Sequence, residues 1–115
     1  MQIDPKRMKS AAAEASGLFA ILSNPRRLMI LCRLVDGEAN VGELAAFCGG
    51  AQSSVSQHLA LLRSSGLVTT RREAQTIYYR LASDPARGIM EAAYEAFCRP
   101  AKARAAARKQ AGVKS

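Results

Sequence analysis

The sequence predicts one mainly α-helical domain with a small β-hairpin, and three observations carry that prediction. Of the 115 residues, 49% are hydrophobic but only 5% aromatic, with no Trp. A core must then be built from Leu, Ile, Val, Ala and Met, a composition suited to packed helices. Apolar residues recur at three-to-four spacing in successive segments bounded by Asn, Pro and Gly, the mark of amphipathic helices with defined ends. One adjacent pair of segments is instead rich in Val, Thr, Ile and Tyr. The length suits a single domain to which a dimer partner would add useful buried surface.

The elements follow in order, with residues 1–5 expected as a flexible N-terminus, 6–99 as the folded domain and 100–115 as a basic, flexible tail. From Lys6 to Leu22, the residues Met8, Ala11, Ala15, Leu18, Phe19 and Leu22 share one face of a first helix. In SNPRRLMILCRLVDG, Asn24 caps, Pro25 takes the first helical position and Gly37 stops a second helix of about 25 to 35. In NVGELAAFCGG, Asn40 and Glu43 form a capping box, and Leu44, Phe47 and Cys48 share a face until Gly49 and Gly50 end a short third helix. SSVSQHLALLRSSG opens with serines able to cap, buries Val55, Leu59 and Leu62, and closes at Gly66. Two short helices joined by a glycine turn make a helix-turn-helix.

LVTTRR and TIYYRL, separated by the polar EAQ, read as a hairpin lying beside that helix pair as a wing. Asp84 then caps and Pro85 opens a last helix to about Arg99, with Ile89, Met90, Ala93, Tyr94 and Phe97 on its apolar face, until Pro100 breaks the pattern. The first and last helices carry more apolar face than a small core requires, which predicts a homodimer joined through both of them.

The net charge of +8 and pI near 10.0 point to a polyanionic partner, nucleic acid before an anionic membrane. Lys102, Arg104, Arg108, Lys109 and Lys114 lie in an acid-free tail, read as a solvated end rather than a DNA-contacting arm. The N-terminus lacks the apolar core of a signal peptide and no run approaches a membrane span, so a cytoplasmic location is expected, with no membrane partner. Three cysteines argue against a disulfide framework. The lone histidine and the absence of a Gly-rich phosphate loop or carboxylate cluster predict no catalytic residues, no cofactor and no enzyme.

With Val55 at the core, Ser53, Ser54 and Gln57 turn outward. Together with Gln52, Ser56 and His58 they form a short polar face suited to the major groove, where Gln pairs with adenine and Ser bonds base edges or phosphate. Arg71 and Arg72 on the hairpin are placed for phosphates or the minor groove, with Gln75 near the tip.

Three stretches, LSNPRRLMILCRLVDGEANVGELA, SSVSQHLALLRSSGLV and TRREAQTIYYRL, make the chain from about residue 15 to 98 resemble the ArsR-type winged-helix transcriptional repressors. The resemblance implies a winged helix-turn-helix homodimer that binds an imperfect inverted repeat of operator DNA, reading bases from about Ser53. Metal-sensing members use a CxC-type pair on the third helix or His and Asp ligands on the last, whereas here the corresponding stretches are ELAAFC and DPARGIMEAAYEAFC. No metal site is therefore expected, since a closed Cys/His zinc site would need all three thiols plus His58.

The chain also resembles the BigR/HlyU-like branch of the family, which carries one thiol in the second helix and another near the end of the last. Here these are Cys32, closing LMILC, and Cys98, closing YEAFC. The resemblance implies that they act as a dithiol switch for reactive sulfur species or oxidants, the modified pair releasing DNA. Periodicity alone gives both positions to core packing, Cys32 four after Leu28 and Cys98 four after Tyr94, and Cys48 is read as packing. The alternatives are an ArsR-type regulator without thiol sensing, as in the NolR-like case, an arsenite or thiophilic-metal sensor, and an architectural DNA-binding protein.

Overall fold

The computed structural model describes residues 1–98. The expected tail at 100–115 and the end of the last helix at Arg99 lie outside them. The described elements are α1 (Pro5–Leu22), α2 (Pro25–Val35), β1 (Ala39–Asn40), α3 (Val41–Cys48), α4 (Gln52–Ser64), β2 (Val68–Glu73), β3 (Thr76–Leu81) and α5 (Asp84–Cys98). The mainly helical class with a small β-wing is as the sequence predicts.

Side-chain caps set several of these ends. Asp4 accepts from the Lys6 amide at 3.0 Å at the start of α1, and Asn24 accepts from the Arg27 amide at 3.0 Å at the start of α2. The capping box on α3 is complete: Asn40 Oδ1 accepts from the Glu43 amide at 2.8 Å, and the Asn40 amide donates to Glu43 Oε1 at 2.9 Å. Each such cap contributes about 1 kcal/mol. At the other end of α3, Gly49 adopts φ 70°, and the amides of Gly49 and Gly50 both donate to the Ala45 carbonyl, at 2.8 and 3.2 Å.

Three boundaries differ from the sequence expectation. Helix α4 starts earlier, with Ala51 at the cap position and no side-chain cap, so Ser53 and Ser54 sit inside its first turn. The last helix is capped by Ser83, whose Oγ accepts from the Ala86 amide at 3.1 Å, and Asp84 is a first-turn residue. The hairpin loop shrinks from EAQ to Ala74 and Gln75, because Glu73 pairs with Thr76 in the ladder.

The strands form an antiparallel sheet in the order β1-β3-β2, with Ala39 opposite Tyr79 and Asn40 opposite Tyr78 on one side of β3, and Val68 opposite Leu81 on the other. Strand β1 was not foreseen. It extends the wing back to the connection between α2 and α3.

The core gathers Ile30, Leu31 and Leu34 of α2 with Leu44, Val55, Leu59, Leu62, Val68 and Met90, all fully buried. Helix α2 packs against α1, α3, α4, α5 and β3. Phe47, expected on the buried face of α3, is 49% exposed; the core contacts of that short helix are met by Leu44 and Ala45. In α1 only Leu22 is buried, leaving Met8 and Phe19 exposed, and α5 leaves Tyr94 and Phe97 exposed.

Two leucines of different burial separate core from surface. Leu31→Ala is expected to cost about 2–5 kcal/mol in denaturant unfolding at fixed protein concentration, and Leu61→Ala, at a solvent-facing position of α4, about 0.5 kcal/mol or less.

Candidate functional site

Helix α4 is held to the core by Val55, Leu59 and Leu62. The opposite face carries Ser53, Ser56 and Gln57 exposed, with Ser54 and His58 half-buried at its edges. Gln52 is exposed, yet its amide nitrogen sits 3.7 Å from where a Cβ on Gly42 would lie, so it turns toward the start of α3. Over its N-terminal half the exposed face is neutral, with hydroxyl and amide groups that can both donate and accept, and Arg63 is exposed in the last turn.

His58 does not hydrogen-bond within the helix pair. Burial and the positive charges of Arg27 and Arg26 hold its pKa below the usual imidazole value. Both effects favour the neutral imidazole on this face of α4.

Alternation sorts the hairpin into two faces. On one, Arg72 lies across from Ile77, both exposed beyond the core. On the other, Arg71 is engaged within the protein: its Nε donates at 2.9 Å to each oxygen of Glu38, its Nη2 forms an ion pair with the same carboxylate, and its Nη1 donates to Glu73 at 2.9 Å. Its guanidinium also lies 4.7 Å from the Tyr78 ring centroid. Arg80 donates to Thr69 Oγ1 at 3.1 Å on the same face. Arg71 thus clamps the wing to the segment before β1, a role the sequence reading missed because its partner is 33 residues away. Arg72 keeps an exposed guanidinium, and Gln75 is exposed in the turn as expected.

The thiols occupy different settings. Cys32 is half-buried on α2 and its Sγ donates to Met90 Sδ at 3.8 Å; Cys98 is exposed at the end of α5. Burial raises the Cys32 pKa, and the Cys98 thiol is near enough to raise it further by charge repulsion. Cys32 opens into a cleft of about 390 Å³ between α2, α3 and α5, lined also by Val35, Phe47, Met90 and Tyr94. Cys48, half-buried at the end of α3, is raised by burial and partly lowered by the Arg26 charge. Among the described residues no group of three or more His, Cys, Asp and Glu is gathered to hold a metal ion, and no helix is long and apolar enough to cross a membrane.

Comparison with known proteins agrees with this geometry. Residues 24–70 match the family described as bacterial regulatory protein, arsR family. The chain is 47% identical over 93 residues to a biofilm growth-associated repressor of Agrobacterium fabrum, covering 81% of this chain and 80% of that one. It superposes on the transcriptional repressor BigR from Xylella fastidiosa with a TM-score of 0.80, at 42% identity over 85% of this chain and 100% of that one. Reduced HlyU from Vibrio cholerae matches with a TM-score of 0.76 and 44% identity, covering 82% of this chain and 99% of that chain.

The lone histidine makes the electrostatics of this face of α4 directly measurable. Because its folded-state pKa is depressed, the fold favours the neutral ring; that contribution is present above the usual histidine range and is lost as pH falls through the folded value. An NMR titration of the imidazole should show a midpoint below 6.5 in the folded protein, rising when Arg27 is replaced by Gln. A midpoint at or above the free value would contradict the geometry.

Proposed function

The chain belongs to the bacterial regulatory proteins of the arsR family, and from that footing we propose a homodimeric repressor whose operator affinity is switched by Cys32 and Cys98. As a family member it is a DNA-binding transcriptional regulator and not an enzyme. The observation that carries the DNA-binding part is the neutral, exposed face of α4, held by a buried stripe and flanked by a wing with a free Arg72. In this reading Ser53, Ser54, Ser56 and Gln57 meet base edges or phosphates of an imperfect inverted repeat, His58 and Gln52 border them, and Arg72 and Gln75 approach the adjacent backbone or minor groove. Arg71 contributes by fixing the wing. Such a regulator works in the cytoplasm, where promoter DNA is reached.

Dimerisation through α1 and α5 is supported by their exposed Met8, Phe19, Tyr94 and Phe97 and by the open groove of about 770 Å³ between them, lined by Ala15, Leu18, Ile21 and Ile89. Two copies would then set the two reading helices about 34 Å apart, one turn of DNA.

The thiol switch is supported by the placement of Cys32 and Cys98 on packed helices within electrostatic reach of each other. The exposed Cys98 thiolate attacks the outer sulfur of an organic hydropersulfide, RS–SH, releasing the thiol RSH and leaving Cys98–S–SH. The Cys32 thiolate then attacks the Cys98 sulfur and expels HS⁻, leaving the two residues joined. This draws the end of α5 toward α2, and because α5 belongs to the dimer interface the spacing of the reading helices changes. A shift of a few ångströms costs base contacts while the fold survives. The Cys32–Met90 contact favours a competing reading in which Cys32 only packs.

Two measurements separate these possibilities. Sedimentation at micromolar concentration is expected to show a dimer, and a monomer would remove the interface. Affinity for the promoter region upstream of the chain's own gene, at fixed salt, should fall at least tenfold after treatment with an organic persulfide and return with reductant. Cys32→Ser and Cys98→Ser should both bind DNA and both lose the response; a Cys32→Ser protein that still responds fully would return Cys32 to core packing.

A further inference from the structure

Arg26 and Arg27 begin α2 side by side and meet different fates. Arg27 Nε donates to the Ile21 carbonyl at 2.6 Å, tying α2 to the end of α1. Arg26 instead reaches the turn between α3 and α4, where its guanidinium lies over Gly50. A Cβ at position 50 would overlap Nη1 and come within 2.8 Å of Cζ and 3.4 Å of Nη2. Gly49 needs glycine for its left-handed φ of 70°, but Gly50 does not share that conformation; the arginine occupies the space that a methyl would take.

The Arg26 guanidinium has no carboxylate partner among the described residues, and its buried Nη1 has no hydrogen-bond acceptor there. Nη1 is buried without an acceptor, while the residue as a whole is only half-buried and so keeps part of its surface toward solvent. Its charge is felt at Cys48, which ends α3, and at His58 on α4. A half-buried guanidinium without an acid beside it is a costly feature to keep for packing alone. Its natural complement is an acceptor with charge, and planar, charge-assisted pairing with phosphate oxygens is what guanidinium geometry suits best.

We infer that Arg26, packed over Gly50 at the helix-turn-helix corner, is a DNA-backbone contact that donates to a phosphodiester flanking the bases read by α4. The inference rests on the DNA-binding reading. It assigns each subunit a phosphate anchor that comes from α2, outside the helix-turn-helix itself, and makes Gly50 the residue that gives the anchor its position.

The salt dependence of duplex binding tests this, because each neutralised phosphate contributes about 0.9 to the slope of log affinity against log salt. Wild type, Arg26→Gln and Arg26→Lys are compared between 50 and 200 mM salt on the duplex from the chain's own promoter region and on a scrambled duplex of equal length. Arg26→Gln should flatten the slope by about 2 per dimer on both duplexes, so that wild type loses roughly tenfold more affinity than the variant across that range. Arg26→Lys, which keeps the charge, should stay near the wild-type slope. An Arg26→Gln protein with weaker binding but an unchanged slope would make Arg26 a packing residue and overturn the inference. If Arg26→Gln does not fold by circular dichroism, Arg26→Met, which keeps the aliphatic stem without the charge, takes its place under the same criterion. A wild type that does not prefer its promoter over the scrambled duplex would count against the operator-specific reading while leaving the slope comparison decisive for Arg26.

Discussion

Helix α2 is the element against which most of the others pack, and the rest of the molecule is arranged by that constraint. Ile30, Leu31 and Leu34 are buried, and the helix touches α1, α3, α4, α5 and β3. Whatever it carries is therefore held by several neighbours at once. Cys32 sits on it facing Met90 of α5, and Arg26 projects from its first turn to the corner before α4. In the proposed switch, a chemical event at α5 and the angle of α4 are both referred to this one helix, so coupling between them needs no long chain of intermediates. Close packing makes such a frame stiff, and it responds to a local change by a shift of whole elements.

The wing is attached to this frame by two devices. The short strand β1 pairs with β3, and Arg71 binds the Glu38 carboxylate just before β1 while also reaching Glu73 and the face of Tyr78. The pair holds the Glu38 carboxyl below its ordinary pKa, chiefly through the hydrogen bond from Arg71. All three charged partners are solvent-facing, so the ion pairs themselves add little stability. What they fix is orientation: Arg71 is spent on aiming the hairpin, while Arg72 on the opposite face stays exposed.

The helices were legible because their ends were written locally. Asn24 with Pro25, and Asn40 with Glu43, name their positions through residues at most three apart, and the buried stripe of α4 follows from a spacing of three and four. The start of α4 was misplaced because serine is a good cap, so Ser53 and Ser54 drew the boundary forward, whereas the paired glycine amides on the Ala45 carbonyl deliver the chain to Ala51 already turned. Strand β1 is two residues long and shares Asn40 with the capping box of α3, leaving no periodicity to detect. The roles of Arg71, Met90 and Arg26 depend on partners 24 to 58 positions away in the chain, Gly50, Glu38 and Cys32. The polar face of α4 was readable from sequence, and the residues that aim it were not.

On α4 the inward and outward side chains alternate within single turns: Val55 is buried between half-buried Ser54 and exposed Ser56, and Leu59 and Leu62 lie one and two turns on. Since the exposed positions make no contribution to the core, they can change with little effect on folding. Under the proposed reading of DNA by α4, a duplicated gene that drifted at Ser53, Ser56 and Gln57 would acquire a new set of promoters while inheriting its scaffold unchanged, because one helix keeps what it says apart from what holds it.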